Sequence, residues 1–445
     1  MPNSLSAREA ARRIREGLLT SRQLVEACLR RISETDPVIR AWAFVDGEGA
    51  LAQADICDDL RRRGMPIGPL HGVPVGLKDI IDVRGMPCER GTPLFAGRVA
   101  EEDAFIVTRL REAGAIILGK TVTTELAFMN PSVTRNPHNP EHTPGGSSSG
   151  SAAAVAGFHV PITVGTQTNG SVIRPASFCG TFGFKPTRGV LARTGLLETS
   201  GSLDQIGVFA RDLDDVALLS DAMACHDPAD PLSYQRARPQ MLDGAMSPAP
   251  VEPAFAALDL PYDDRLQADA REGMNELVEF LGAQVDRLPA PPAFSNLVSV
   301  QRTIHLYEYN RLLGDSCRAD WDKVSDVLKP LVEEAAAIGA SQYEDALSIK
   351  HDAERYFSTF FADYDAILTH SAAGEAPLFN TGTGDPVFCT IWTLAGLPAV
   401  SLPILTGNTG LPVGVQLVGP IERDDRLLRT AGWLLEQLKR DTIPA

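Results

Sequence analysis

Pro144-Gly-Gly-Ser-Ser-Ser-Gly-Ser151 opens the stretch of sequence that decides the fold. A run of small residues, 152–157, follows it, and the stretch closes with Gly165-Thr-Gln-Thr-Asn-Gly-Ser-Val-Ile-Arg-Pro-Ala176. An isolated Gly/Ser run is more often a flexible linker. Here Ser149 or Ser151 is placed to cap a helix over 152–157, and 160–164 has the character of a short buried strand. The pattern predicts loop, helix, strand and loop, with hydroxyls and glycine N–H groups that suit an anion or oxyanion.

The stretch resembles the signature of the amidase signature family, serine hydrolases that cleave amide bonds with a Ser, Ser, Lys triad. The third part of that signature is a lysine upstream, which is present in Gly72-Val-Pro-Val-Gly-Leu-Lys-Asp79. The likeness extends from about Leu18 to the final helix. It implies a single α/β domain with a central mixed β-sheet covered by helices on both faces. Within it, 1–65 is expected to be a helical segment packed on the core, and 66–445 the amidase signature domain.

The resemblance also implies the roles of the site residues. Ser171 matches the nucleophile, and Ser147 matches the bridging serine, whose peptide bond to Gly146 is expected to be cis. Lys78 matches the base that acts in its neutral form. The oxyanion is then held by the backbone N–H groups of Thr168, Asn169, Gly170 and Ser171.

Two departures from the family pattern affect the substrate pocket. The commoner family sequence before the nucleophile is Asp-Thr-Gly-Gly, whereas this chain has Gln-Thr-Asn-Gly over 167–170. Asn tolerates positive φ, so the loop can keep its conformation, but the Asn side chain adds either bulk or a hydrogen-bonding group beside the oxyanion site and so affects the shape of the acyl pocket. The arginine stands three residues after the nucleophile, as Arg174, which is similar to the malonamidase-like branch. Arg174 either binds a substrate carboxylate or forms a structural salt bridge, and the sequence supports the two interpretations equally.

Lys78 shows how much depends on the resemblance. Most lysines are solvated surface charges, and the sequence alone favours that interpretation for Lys78. Its neighbours Val75, Leu77, Ile80 and Ile81 are apolar, and burial among them disfavours the ammonium and lowers the pKa of the lysine. With the resemblance, the catalytic interpretation leads.

Other candidate site residues have weaker support. Met129 is a candidate to line the pocket, although a Phe-Met pair is more often core. Gly146-Ser-Ser-Ser-Gly150 formally matches the nucleophile elbow of α/β-hydrolases, with Ser148 as the nucleophile. That elbow follows a strand, and three prolines within 136–144 prevent one. His71, His142 and His370 are the histidines nearest in sequence to pocket elements, and such residues are more often structural.

Composition narrows the class of protein. The 445 residues carry a net charge of −16, which argues against nucleic acid or an anionic membrane as a partner. No segment resembles a leader or a membrane span, so a cytoplasmic protein is expected. Seven scattered cysteines without a Cys-x-x-Cys pair are typical of reduced thiols. No metal motif is present, and no metal or cofactor is expected. A homodimer is a further expectation.

Periodicity and breakers predict the remaining elements. Strands are predicted over 73–81, 115–121, 160–164, 364–370, 398–403 and 413–418. Helices are predicted over 6–17, 20–36, 47–63, 103–113, 212–223, 264–281, 297–319, 344–362, 385–395 and 424–439. The Pro- and Ala-rich segment 226–262 is interpreted as a surface excursion, and 121–142 as a loop that borders the pocket.

The sequence therefore predicts an amidohydrolase that cleaves a small linear amide through an acyl-enzyme on Ser171. Three alternatives stay open: a carbamate, aryl-amide or ester hydrolase on the same site, the glutaminase subunit of a tRNA-dependent amidotransferase, and a catalytically silent binding protein on the same scaffold. Substrate specificity is expected to lie in the loops 121–142, 186–202 and 371–386.

Overall fold

One mixed sheet of eleven strands runs through residues 1–442, which are the residues that the computed structural model describes. Across the sheet the strands lie in the order β1-β3-β2-β4-β6-β5-β10-β11-β9-β7-β8. The α/β fold with a mixed sheet flanked by helices is therefore confirmed. The strands are β1 (Trp42–Val45), β2 (Pro74–Lys78), β3 (Ile116–Thr121), β4 (Ile162–Gln167), β5 (Phe182–Lys185), β6 (Gln205–Ala210), β7 (Phe255–Asp259), β8 (Val285–Pro289), β9 (Ala366–His370), β10 (Ala399–Thr406) and β11 (Pro412–Val418).

Parallel and antiparallel pairings divide the sheet into regions. Strand β2 pairs in parallel with both β3 and β4, and β7 pairs in parallel with both β8 and β9. The other six pairings are antiparallel. Every residue of β2, β3, β4 and β6 is buried, as expected for strands covered on both faces.

The described part of the chain contains fifteen α-helices. They are α1 (Ala7–Arg15), α2 (Ser21–Ile39), α3 (Gly47–Arg62), α4 (Phe105–Glu112), α5 (Ser149–Ala156), α6 (Ile173–Cys179), α7 (Leu213–Met223), α8 (Met241–Met246), α9 (Ala268–Leu281), α10 (Phe294–Tyr309), α11 (Asp315–Ala319), α12 (Lys329–Ala337), α13 (Ala340–Phe360), α14 (Val387–Leu394) and α15 (Asp424–Thr442). A π-helical turn, Asn310–Gly314, joins α10 to α11. No helix in residues 1–442 is both long and apolar enough to cross a bilayer.

Capping explains where the first helices begin. The Ser6 hydroxyl accepts a hydrogen bond from the Glu9 N–H at the start of α1. The predicted capping box of α2 is present, because Thr20 and Gln23 each bond the other's backbone N–H. The predicted end of α2 at Asp36-Pro37 is wrong. A proline removes one backbone donor without stopping the helix at once, and α2 continues to Ile39, where Arg40 caps it with a φ of +56°.

The predicted strand and helix pairs along the chain are largely found, with shifted ends. Strands β2 and β3 with α4 between them form the expected βαβ unit, and β10 and β11 pair as predicted. The interpretation of 226–262 as a surface excursion is wrong, since β7 lies in it and belongs to the sheet. The segment 1–65 is not purely helical, because β1 pairs with β3; the domain boundary at 65/66 stays a prediction.

Candidate active site

The site forms where two neighbouring parallel strands end. Strand β2 ends at Lys78 and β4 ends at Gln167, and the register of the pair sets Leu77 beside Val164. The carboxyl ends of parallel strands share one edge of a sheet, which is where α/β folds bind ligands. The segment 144–151 approaches the same edge, since the Ser147 carbonyl accepts a hydrogen bond from the Thr124 N–H at 3.2 Å.

The Lys78 ammonium group has two hydroxyl partners. Its Nζ lies 2.7 Å from the Ser147 Oγ and 2.8 Å from the Thr166 Oγ1. The side chain is completely buried. Burial lowers the pKa of Lys78 from 10.5 to about 7, against the opposing charge of Asp204. A lysine with this pKa is partly neutral at neutral pH and can accept a proton from a hydroxyl.

The serine-rich segment is held in place by its other hydroxyls. The Gly146–Ser147 peptide bond is cis, as the resemblance implies. Ser148 Oγ donates to the Thr166 carbonyl at 3.1 Å and accepts from the Thr166 N–H at 3.3 Å. Ser149 Oγ donates to the Gly145 carbonyl at 2.8 Å. Gly146 fits closely, because a Cβ there would lie 2.9 Å from the Cγ2 atoms of Thr124 and Thr383.

The predicted cap of the helix after this segment is wrong. Neither Ser149 nor Ser151 caps it, since α5 begins at Ser149 and has no side-chain cap. The Ser151 hydroxyl instead lies 3.2 Å from the Val164 carbonyl and 2.8 Å from the Thr121 hydroxyl. Both serines therefore bond the backbone and side chains around them and do not form an N-cap.

The loop from Thr168 to Ser171 presents free backbone donors. Within residues 1–442, none of the four N–H groups from Thr168 to Ser171 donates a hydrogen bond to the protein. The Ser171 hydroxyl likewise has no hydrogen-bond partner in this part of the chain. Unpaired N–H groups in succession suit a developing oxyanion.

Gln167 and Asn169, the two residues by which 167–170 departs from the family pattern, both anchor this loop. The Gln167 Oε1 accepts from the N–H groups of Val172 and Ile173 at the start of α6, at 2.8 and 3.0 Å. The Asn169 Oδ1 accepts from Thr390 of α14 at 2.7 Å. The expectation that Asn169 uses its tolerance of positive φ is wrong, because its φ is not positive. Its side chain fits because α14 supplies a hydroxyl donor.

Three residues that no sequence motif indicated support the same loop. The Gln301 Nε2 of α10 donates to the Thr168 carbonyl at 3.2 Å, and Thr393 Oγ1 donates to the Asn169 carbonyl at 2.5 Å. The buried Asp204 carboxylate accepts from the Thr168 hydroxyl at 2.5 Å. These contacts join segments more than 30 residues apart, so no local pattern could have indicated them.

Arg174 is buried beneath the loop, with 3% of its surface exposed. Its Nη2 donates to the Gly146 carbonyl at 2.6 Å, and its Nη1 donates to the Gly384 carbonyl. Its Nε has no hydrogen-bond partner in residues 1–442. Burial lowers the pKa of Arg174 to about 10, so the group remains a cation at neutral pH. The guanidinium thus joins the serine segment to the loop at 384.

A cavity of about 230 Å³ opens beside Ser171. Its wall includes Met129, which is 40% exposed, and the loop from Thr168 to Ser171. Helix α10 contributes Val298, Gln301, Arg302, His305 and Leu306, so a helix outside the three predicted specificity loops forms much of the wall. The loop 186–202 does not border this cavity; it borders a second one, of about 180 Å³, together with Thr166 and Asp204.

The histidines singled out in the sequence do not line the cavity, and His305 does. The His71 ring bonds the Cys57 carbonyl at 2.9 Å and the His142 ring bonds the Ala376 carbonyl at 2.6 Å. No group of His, Cys, Asp or Glu side chains in the described residues could hold a metal ion. All seven cysteines lie in that part of the chain and are free thiols.

Comparison with known proteins finds one matching family and several similar proteins. The Amidase family model matches residues 23–428. The chain is 34% identical to a glutamyl-tRNA(Gln) amidotransferase subunit of Streptomyces coelicolor, over 96% of this chain and 94% of that protein. Among solved structures, a chain of a vestigial protein complex related to an s-triazine catabolic enzyme superposes with a TM-score of 0.91 at 28% identity, over 97% and 98% of the two chains. The 6-aminohexanoate cyclic dimer hydrolase superposes with a TM-score of 0.87 at 26% identity, over 98% and 97%.

Proposed function

We propose that this chain, which belongs to the Amidase family and is a hydrolase of carbon–nitrogen bonds in amides, cleaves a small linear amide through an acyl-enzyme on Ser171. The observation that carries the proposal is the 2.7 Å hydrogen bond between Lys78 Nζ and Ser147 Oγ, made by a completely buried lysine. The malonamidase-like branch within the family stays a prediction.

In the first step, neutral Lys78 accepts the proton of the Ser147 hydroxyl while Ser147 accepts the proton of Ser171. The Ser171 oxygen then bonds the substrate carbonyl carbon, and the carbonyl becomes an oxyanion. The free N–H groups of Thr168, Asn169, Gly170 and Ser171 support this role. Loss of one such donor in a hydrolase typically costs about 10²–10³ in rate.

In the second step the relay runs in reverse. Lys78 returns its proton through Ser147 to the amide nitrogen, the carbon–nitrogen bond breaks, and the amine departs with its bonding electron pair. Water then attacks the acyl-enzyme and passes a proton to the same relay, which releases the acid and restores Ser171. Each cycle therefore leaves Lys78 neutral.

Arg174 acts in this proposal by positioning the loops around the nucleophile. Its two terminal nitrogens already bond the carbonyls of Gly146 and Gly384, which favours the structural role over the grip on a substrate carboxylate. Met129 borders the cavity at its exposed side and contacts substrate there.

The experiment compares release of nitroaniline from 4-nitroacetanilide by wild type, Ser171→Ala and Ser148→Ala. Ser148 is the matched control, because its hydroxyl bonds only the Thr166 backbone. We expect no turnover by Ser171→Ala and near-wild-type turnover by Ser148→Ala. The reverse result would assign the nucleophile to Ser148 and overturn the proposal. The matching 4-nitrophenyl carbamate, measured in parallel, separates an amidase from a urethanase.

A second candidate is the glutaminase subunit of a tRNA-dependent amidotransferase. The 34% identity to one component of such an enzyme supports it. The isolated chain is assayed for ammonia release from L-glutamine beside the anilide assay. Glutamine turnover with no anilide turnover would favour this candidate. If a folded wild type turns over neither substrate, the result would favour a catalytically silent binding protein on the same scaffold.

A further inference from the structure

A buried histidine lies in the wall of the cavity that holds the proposed nucleophile. His305, on α10, has 9% of its surface exposed and borders the same cavity as Ser171. Its Nε2 has no hydrogen-bond partner in the described residues. A buried polar group without a partner is unfavourable, so such a group beside a binding cavity indicates a partner that comes from the ligand.

The surroundings keep this imidazole neutral. Burial lowers the pKa of His305 to about 4. The charges of Asp204 and Glu308 raise this pKa, and the charge of Arg302 lowers it. The Phe128 ring packs at 4.8 Å from the imidazole, centroid to centroid. A neutral imidazole offers one donor and one acceptor, and it suits an uncharged polar group better than a carboxylate.

The cations around the cavity are already engaged. Arg265 lies 2.8 Å from Asp385, and Arg302 forms two hydrogen bonds to Glu334. Arg174 bonds two backbone carbonyls. These are the three cations of the cavity wall among the described residues. Carboxylates therefore neutralise two of the three cations, and backbone carbonyls occupy both terminal nitrogens of Arg174.

The helix fixes where the second polar group of a substrate would lie. Gln301 bonds the Thr168 carbonyl in the loop that carries the nucleophile, and His305 follows one helical turn later. Residues four apart on a helix are about 6 Å apart along its axis. A substrate that places its carbonyl at Ser171 and reaches His305 therefore carries its second polar group a few bonds beyond that carbonyl.

We propose that His305 determines specificity by hydrogen bonding a second, uncharged polar group in the acyl part of the substrate, so that short neutral diamides are preferred to their apolar and anionic analogues. This inference rests on the proposed function and names the substrate class of the same site.

Three probes of nearly equal shape test it by ammonia release: succinamide, its apolar analogue 4-methylpentanamide, and its anionic analogue succinamate. For wild type, we expect kcat/KM to be highest for succinamide. In His305→Phe, kcat/KM for succinamide falls at least tenfold, while that for 4-methylpentanamide changes less than threefold. His305→Gln, which keeps one donor and one acceptor, regains part of the succinamide preference.

His370→Phe is the matched control. His370 is equally buried, and its Nδ1 also lacks a partner in residues 1–442, but it lies outside this cavity. Its variant should keep the wild-type preference. An equal loss on all three probes in His305→Phe would make His305 structural, and succinamate as the best substrate would overturn the inference in favour of an anionic acyl group. Absence of turnover on every probe by wild type would instead count against the proposed function.

Discussion

Two buried lysines in this molecule share almost every property except the chemistry of their partners. Lys78 ends β2 and Lys185 ends β5, and both side chains are completely buried. Burial lowers the pKa of each from 10.5 to about 7. By burial and pKa alone, either could be the base of a hydrolase.

The partners separate the two sites. Lys78 bonds two hydroxyls, Ser147 and Thr166, and a hydroxyl can both give and receive a proton. Lys185 bonds the Gln205 Oε1 at 2.7 Å and the Leu397 carbonyl at 2.5 Å, which only accept hydrogen bonds. Burial lowers the pKa of a lysine so that its neutral form can accept a proton, and a neighbouring hydroxyl supplies a proton for it to accept.

The largest effect is expected from removing each amine. Lys78→Met should lower kcat by about 10³-fold or more, because it removes the base of the relay. Lys185→Met should leave kcat within about threefold. It should instead lower the free energy of unfolding by about 1–3 kcal/mol, since two buried oxygens lose their donor. Amide hydrolysis and thermal unfolding are measured on both variants.

Thermal unfolding distinguishes loss of a base from loss of the fold. Lys78→Met should keep its melting temperature, because the Ser147 and Thr166 hydroxyls can donate as well as accept and so, unlike the Gln205 and Leu397 oxygens, do not depend on the amine for a donor. Equal losses of kcat in the two folded variants would show that burial, and not the hydroxyl partner, is what matters.

The next effect concerns the hydroxyl itself. Ser147→Ala leaves Lys78 its Thr166 partner but removes the hydroxyl that passes the Ser171 proton in the proposed relay, so kcat should fall by about 10²–10³-fold. Ser151→Ala is the control in the same segment, because its hydroxyl bonds Val164 and Thr121 and not Lys78. Steady-state kinetics on one anilide measure both. A Ser147→Ala enzyme with wild-type kcat would exclude the relay.

The contrast between the lysines also shows what the sequence can and cannot predict. The spacing of the signature identifies Lys78, Ser147 and Ser171 as candidates, and apolar runs predict β4, β9, β10 and β11. Lys185 carries no local sign that it is equally buried, because its neighbours in space, Gln205 and Leu397, are distant along the chain.

Non-local contacts explain the other omissions. Strand β7 lies in a Pro- and Ala-rich segment, and β9, the one of its two parallel partners that joins it to the rest of the sheet, follows more than a hundred residues later. Likewise, Asp204, Gln301 and His305 reach the site only through tertiary packing. Periodicity reports the burial of an element, but it does not report which distant group will face it.

The dependence of activity on pH should follow Lys78 alone. Only the neutral amine accepts a proton, so kcat/KM should rise with pH through about 7 and fall nearly tenfold per unit below it. Lys185→Met should keep this midpoint. Asp204→Asn should move the midpoint to lower pH, because the Asp204 charge raises the pKa of Lys78. Profiles of kcat/KM from pH 5.5 to 9 check both, and a flat profile through pH 7 would contradict a lysine base.

The dependence of stability on pH should not distinguish the two lysines. The unfolded chain keeps each lysine protonated up to about 10.5, whereas the folded chain releases each proton near 7. Between these pH values the unfolded state binds one more proton for each lysine, so each lysine makes the free energy of unfolding rise with pH by up to about 1.4 kcal/mol per unit. Either Lys→Met substitution should therefore reduce this slope by a similar amount between pH 7.5 and 9, measured by urea unfolding. Thiols and tyrosines contribute equally to wild type and variants, so the difference between their slopes isolates the lysine. Equal changes in the stability slope, beside a change in activity for Lys78 alone, would show that the two amines are equally buried and that only one has a route for its proton.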